Sequence, residues 1–302
     1  MNLLVESMHI VISVPLDPGL AGLLGKKGSE NGIAFYNGSF QDTTIVALQP
    51  TNVEDKFYSM PESMLVSDAV LLSTSTLDRK FGEALVAASQ SGKKVLFTDE
   101  NDIAGMAASA GMADFEVVSR DSVLPKALAL RTRSEEGSPI IYIDKSFTVN
   151  GVGTVVLGIV RSGVLKVHDR LFCADGAEAV VRSIQSQDRD FPSAGPGTRV
   201  GIALKGVQPS SISKGDVLST ERIKPAGEIE CAISASGIAK EEIKEGKVYS
   251  IVANFFHTSA KVISIKGETI AMRLDRPMQR IPGDRALLFR DAPPRVFASL
   301  SL

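Results

Sequence analysis

The sequence predicts a multidomain chain in which an α/β domain is followed by two all-β barrels, and two observations carry that expectation. Through residues 8–118 short apolar runs alternate with helical patterns; beyond residue 139, strands follow one another across glycine-bearing turns with no helix between them. A chain of 302 residues with 44% hydrophobic content has material for two or three domains, each with its own core.

The runs at 8–14, 43–48, 69–73, 94–98 and 115–118 are rich in Val, Ile and Leu, as strands buried on both faces of a parallel sheet are. Residues 81–88, 101–112 and 122–130 place helix formers and apolar side chains at helical spacing. Residues 131–139 concentrate charge, Ser, Gly and Pro and read as a linker. The expected domains are therefore 1–136, 137–225 and 226–302. In the first barrel, strands are expected at 140–149, 154–161, 170–173, 179–184, 199–204 and 216–218, with a turn at 208–211. In the second they are expected at 229–233, 247–256, 260–265, 269–274 and 285–290, with a charged loop at 241–246.

The formal net charge is −2, but it is unevenly spread. Residues 1–136 hold 11 basic and 18 acidic side chains, against 11 and 8 in 137–225 and 11 and 9 in 226–302. An acidic front and a mildly basic back permit nucleic-acid binding without marking a basic stripe. Cys173 and Cys231 are the only cysteines, each beside apolar residues, so buried thiols in a reducing compartment are expected. Residues 1–5 are apolar but lack a basic region and run into Glu6, and no apolar run approaches the roughly 18 residues of a membrane span. A cytoplasmic protein with no membrane or DNA partner is expected. His9, His168 and His257 show no metal-ligand spacing, and no metal site is expected.

Gly151-Val152-Gly153 has the opening of a dinucleotide loop, but a strand-like Thr154-Val155-Val156-Leu157 follows and no third glycine falls at the required spacing. The glycines instead suit a hairpin turn between residues 144–149 and 154–158, with Gly158 marking a bulge in the returning strand.

That hairpin is followed by Gly163-Val164-Leu165-Lys166-Val167-His168-Asp169, by Val181-Arg182-Ser183-Ile184-Gln185, by residues 197–207, and by Lys214-Gly215-Asp216-Val217-Leu218. Together these resemble the second domain of EF-Tu-type elongation factors, and within that group SelB and its archaeal SelB-like relative EF-Pyl. Leu24-Gly25-Lys26-Lys27-Gly28, residues 67–72 and Gly82-Glu83 carry the resemblance faintly into a GTPase-like front domain, and Arg295-Val296-Phe297-Ala298 into a third-domain barrel. The implied fold is a degenerate P-loop GTPase-like α/β domain followed by two β-barrels.

In the family a glycine-rich loop after the first strand cradles GTP phosphates, a lysine reaches their oxygens, and Ser or Thr holds magnesium. Here Pro15-Leu16-Asp17-Pro18-Gly19 occupies that place. Two prolines remove amide donors and Asp17 brings a negative charge. The magnesium-facing Asp falls at Gln49, and the Gly of the same motif at Asn52. The water-orienting His falls at Val53, and of the base-reading motif only Asp102 persists. Gly25-Lys26-Lys27 follows the first helix and reads as a helix end with solvated lysines. No cofactor is expected on this reading; GTP and Mg enter only if that lysine pair rebuilds a phosphate site, as in an active GTP-binding elongation factor.

The resemblance also implies an aminoacyl pocket in the first barrel, with Asp144, Lys145 and Arg199 at the positions by which SelB favours an anionic side chain, and Phe147 beside it. Each has a plainer reading. Asp144 and Lys145 are adjacent on a strand and point to opposite faces, as surface charges do, Arg199 suits a barrel rim, and Phe147 suits a core. The implied partners are tRNA, aminoacyl-tRNA or the ribosome, served by a noncatalytic relative of the elongation factors; a pure protein-interaction adapter is the third reading.

Overall fold

The computed structural model describes residues 8–51, 53–54, 57–130, 135–238 and 242–302. The front of the chain forms β1 (Met8–Ser13), α1 (Pro18–Leu24), β2 (Lys26–Glu30), β3 (Ile33–Phe40), β4 (Thr43–Pro50), α2 (Ser59–Val66), β5 (Ala69–Leu72), α3 (Arg79–Ser91), β6 (Lys94–Thr98), α4 (Ala104–Ser109), β7 (Glu116–Val118) and α5 (Val123–Leu128). Its seven strands run in the order β2-β3-β4-β1-β5-β6-β7. β1 pairs in parallel with β4 and β5, whereas β2, β3 and β4 form an antiparallel meander. Ile10, Val11 and Ile12 are all fully buried because both faces of the sheet are covered. One face packs on α1 and α5 through Ile10, Ile12, Leu20, Leu24 and Val123.

The next nine strands are β8 (Ile140–Val149), β9 (Gly153–Ser162), β10 (Leu165–Lys166), β11 (Arg170–Phe172), β12 (Glu178–Ser186), β13 (Arg189–Phe191), β14 (Ser193–Ala194), β15 (Arg199–Lys205) and β16 (Val217–Ser219). Six of them close as β11-β16-β8-β9-β15-β12, the seam being the β11–β12 pair. The last six, β17 (Pro225–Ala235), β18 (Val248–Ala253), β19 (Phe256–Lys266), β20 (Thr269–Gln279), β21 (Arg285–Phe289) and β22 (Val296–Ser301), close as β17-β20-β19-β18-β21-β22. Alternate residues of each strand fill the barrel interior, as in β19, where Phe256, Thr258, Ala260 and Val262 are buried and His257, Ser259 and Lys261 are exposed. Cys173 and Cys231 are free buried thiols, and burial pushes that of Cys173 up to about 11.

All three units meet in one apolar cluster. It joins Val11, Ile33, Phe35, Val46, Leu48 and Val66 of the front domain to Tyr142, Ile159 and Val217 of the first barrel and to Phe255 and Ile281 of the second. Beside it α2 and α3 pack onto the second barrel, where Val252, Leu287 and Val296 join the helix core and the Glu83 carboxylate accepts the Arg295 amide at 2.8 Å.

Two expectations need correction. The strand expected at 247–256 is a hairpin, because Asn254 takes φ 44° and turns the chain between β18 and β19. Only Ala104–Ser109 of the helix expected at 101–112 is helical, the preceding Asn101 being held by hydrogen bonds to Thr74. Residues 26–40 add two strands, and Ser59–Val66 adds a helix, that the sequence reading did not place. The linker expected at 131–139 lies in part outside the described residues.

Candidate functional site

The carboxyl ends of β1, β5 and β6 are where an α/β sheet of this kind places its ligand. After β1, Val14, Pro15 and Leu16 lead directly into Asp17, the N-cap of α1. Its Oδ1 accepts the Leu20 amide at 3.0 Å, and its Oδ2 faces Arg120 Nη1 at 3.2 Å. Arg120 also reaches Glu100 at 3.4 Å, and Glu100 accepts the Thr74 hydroxyl at 3.0 Å. Burial works to raise the Asp17 carboxyl, but the Leu20 amide, Arg120 and Ser73 outweigh it and hold the group below its ordinary value. Two carboxylates thus share one guanidinium where the family places phosphate oxygens, and the proline at the start of α1 leaves one amide donor fewer.

The other nucleotide-site positions are scattered. Gln49 lies near the end of β4 with its amide bonded to the Pro50 carbonyl at 2.6 Å, Val53 packs against the core of α2 and α3, and Asp102 accepts the Ala104 amide at 3.0 Å. Asn52 lies outside the described residues. Gly25 caps α1, and a Cβ there would come within 2.4 Å of the β3 backbone at Asn37, so close approach explains this glycine. Lys26 and Lys27 follow on the exposed edge strand β2, Lys27 paired with Glu30 at 2.7 Å.

In the first barrel the structure brings Asp144 and Arg199 together. The β8–β9 register steps from Ile143 opposite Gly158 to Lys145 opposite Leu157, so Asp144 is the extra residue of a bulge facing Gly158. The bulge turns its carboxylate inward, where Oδ2 accepts from Arg199 Nη2 at 2.8 Å. The Arg199 guanidinium lies 3.8 Å from the centre of the Phe35 ring on β3. Asp144 is therefore a buried charge and not a surface one, and Arg199 is not an open rim residue, since Phe35 of the front domain covers it. Asp144 Oδ1 and Arg199 Nη1 are buried without a partner. Lys145 remains exposed, 5.6 Å from the ring of half-buried Phe147.

A third cluster escaped the sequence reading. Glu62, fully buried on α2, offers one oxygen to Lys214 Nζ at 2.7 Å and the other to His257 Nδ1 at 3.3 Å, linking one residue of each unit. His257 stacks on Tyr58 at 4.1 Å. The usable signal was a lone acid in the apolar run from Met60 to Val66.

Residues 153–219 match the family described as Elongation factor Tu domain 2. The uncharacterized protein MJ0325 of Methanocaldococcus jannaschii is 32% identical over 281 residues, covering 89% of this chain and 91% of that protein. The selenocysteine-specific elongation factor of the same organism is 32% identical over 136 residues, which are 44% of this chain and only 28% of that relative. The chain belongs to the EF-Tu-type translation elongation factor family. Within that family its architecture is that of SelB. Apo SelB from Methanococcus maripaludis matches with a TM-score of 0.80 at 17% identity, over 98% of this chain and 79% of that one. The bacterial selenocysteine-specific factor EF-Sec matches at 0.81 and 17%, over 97% and 58%. At these identities the structural likeness is one of fold.

Proposed function

We propose that this chain is a noncatalytic SelB-like translation factor relative that binds tRNA, aminoacyl-tRNA or a ribosomal partner through its β-barrels, its front domain serving as a scaffold. The observation that carries this reading is Asp17, whose carboxylate caps α1 and pairs with Arg120 where a phosphate would need amide donors. Phosphoryl transfer leaves a protein little to supply beyond positioning and charge stabilisation, so losing the phosphate cradle and the magnesium ligand together removes the main contributions. Binding through the barrels draws on their basic balance and on the kinship with factors named for selenocysteine.

Titration with a fluorescent GTP analogue in magnesium buffer tests the first half. No saturable binding is expected. Saturable binding abolished by Lys26→Ala would mean an active GTP-binding factor with a rebuilt phosphate site, and would overturn the proposal.

A further inference from the structure

Away from the nucleotide position and the Asp144 pocket, a small cavity of about 90 Å³ opens where the three units converge. Each unit contributes a cation to its lining: Lys93, just after α3; Arg161, on β9; and Arg285, the first residue of β21. Asp284 is the one carboxylate in the lining, and it is committed, accepting Arg161 Nε at 3.2 Å and the Tyr142 hydroxyl.

We propose that this cavity binds a phosphate-sized oxyanion between the two barrels, beside the end of α3. With Lys93 left out altogether, two guanidiniums still face a single carboxylate. Their ordinary role would be to cap the carbonyl end of α3, and Arg285 Nη1 does approach the Gln90 carbonyl, at 3.5 Å. That helix end carries only about half a negative charge, so the balance stays positive. A guanidinium carries five N–H donors in a planar fork that suits tetrahedral oxyanions; Asp284 and Tyr142 take part of the fork of Arg161, and Arg285 adds its own. Gly92 permits the arrangement: it has φ 69°, and a Cβ there would sit 2.6 Å from Arg285 Nε, displacing the guanidinium from the cavity wall. The volume leaves room for one small oxyanion and falls far short of what a nucleotide fills.

Isothermal titration of the whole chain with inorganic phosphate at constant ionic strength tests this. One phosphate per chain is expected, weakened about tenfold or more by Arg285→Ala, the loss of one charge-assisted contact. Arg285→Gln, scored the same way, keeps the test decisive if the first variant fails to fold, because it removes the charge and keeps most of the side chain. Absence of binding up to about 10 mM phosphate, or an affinity that neither variant changes, overturns the proposal.

Discussion

Arg199 reaches Asp144 with almost no water on either group, so the stability of the pair depends on both members being present. Arg199→Ala would leave a buried carboxylate uncompensated, and a loss of about 3–5 kcal/mol is expected in urea unfolding. Replacing both members, as Arg199→Met with Asp144→Leu, should recover most of it, because an apolar pair needs no partner. Single and double losses of equal size would count against the pairing. His9 gives the pH dependence. Its backbone packs under Gly197 of the first barrel, and burial lowers its imidazole to about 4. The unfolded chain takes up this proton near pH 6.5 and the folded chain only near 4. Stability should therefore fall as pH drops through that window, by up to about 3 kcal/mol at its lower end. His9→Gln should flatten the slope; an unchanged slope would assign it to other groups. The family resemblance singles out Asp144 and Arg199 with Lys145 and Phe147 but shows neither their pairing nor their burial, because Phe35, which covers Arg199, lies 164 residues away on β3, a strand with no clear signal in the sequence.

At the scale of elements, the parallel strands could be read from the sequence because each is a continuous apolar run, and most barrel strands because they alternate. The hairpin of β18 and β19 could not, since a lone Asn254 between Val252-Ala253 and Phe255-Phe256 leaves its turn inside a nearly continuous apolar run. Phe255 sits in that turn fully buried because it fills the apolar cluster common to all three units. The whole of α2 is buried and contains Pro61, so it shows neither a polar face nor strong propensity. Phe255→Ala should cost about 3–5 kcal/mol by thermal or denaturant unfolding, the ordinary cost of emptying a large core site. A loss below about 1 kcal/mol would mean that the turn is not part of a common core.

For the molecule as a whole, Glu62 joins the front domain to both barrels at once, through Lys214 of the first and His257 of the second. Glu62→Ala should separate the melting of the front domain from that of the barrels and lower stability by about 2–3 kcal/mol, the range for a hydrogen bond to a charged group. A single unchanged transition would show that the apolar cluster alone holds the units together. On the proposed noncatalytic function, Asp17, Arg120 and Glu62 hold the scaffold without GTP, and binding is independent of nucleotide. Protection of an aminoacyl-tRNA ester from hydrolysis by the purified chain, measured with GTP, with GDP and with no nucleotide, tests that directly. Equal protection in all three is the expected result; protection that appears only with GTP, or none at all, would contradict a nucleotide-independent tRNA-binding factor.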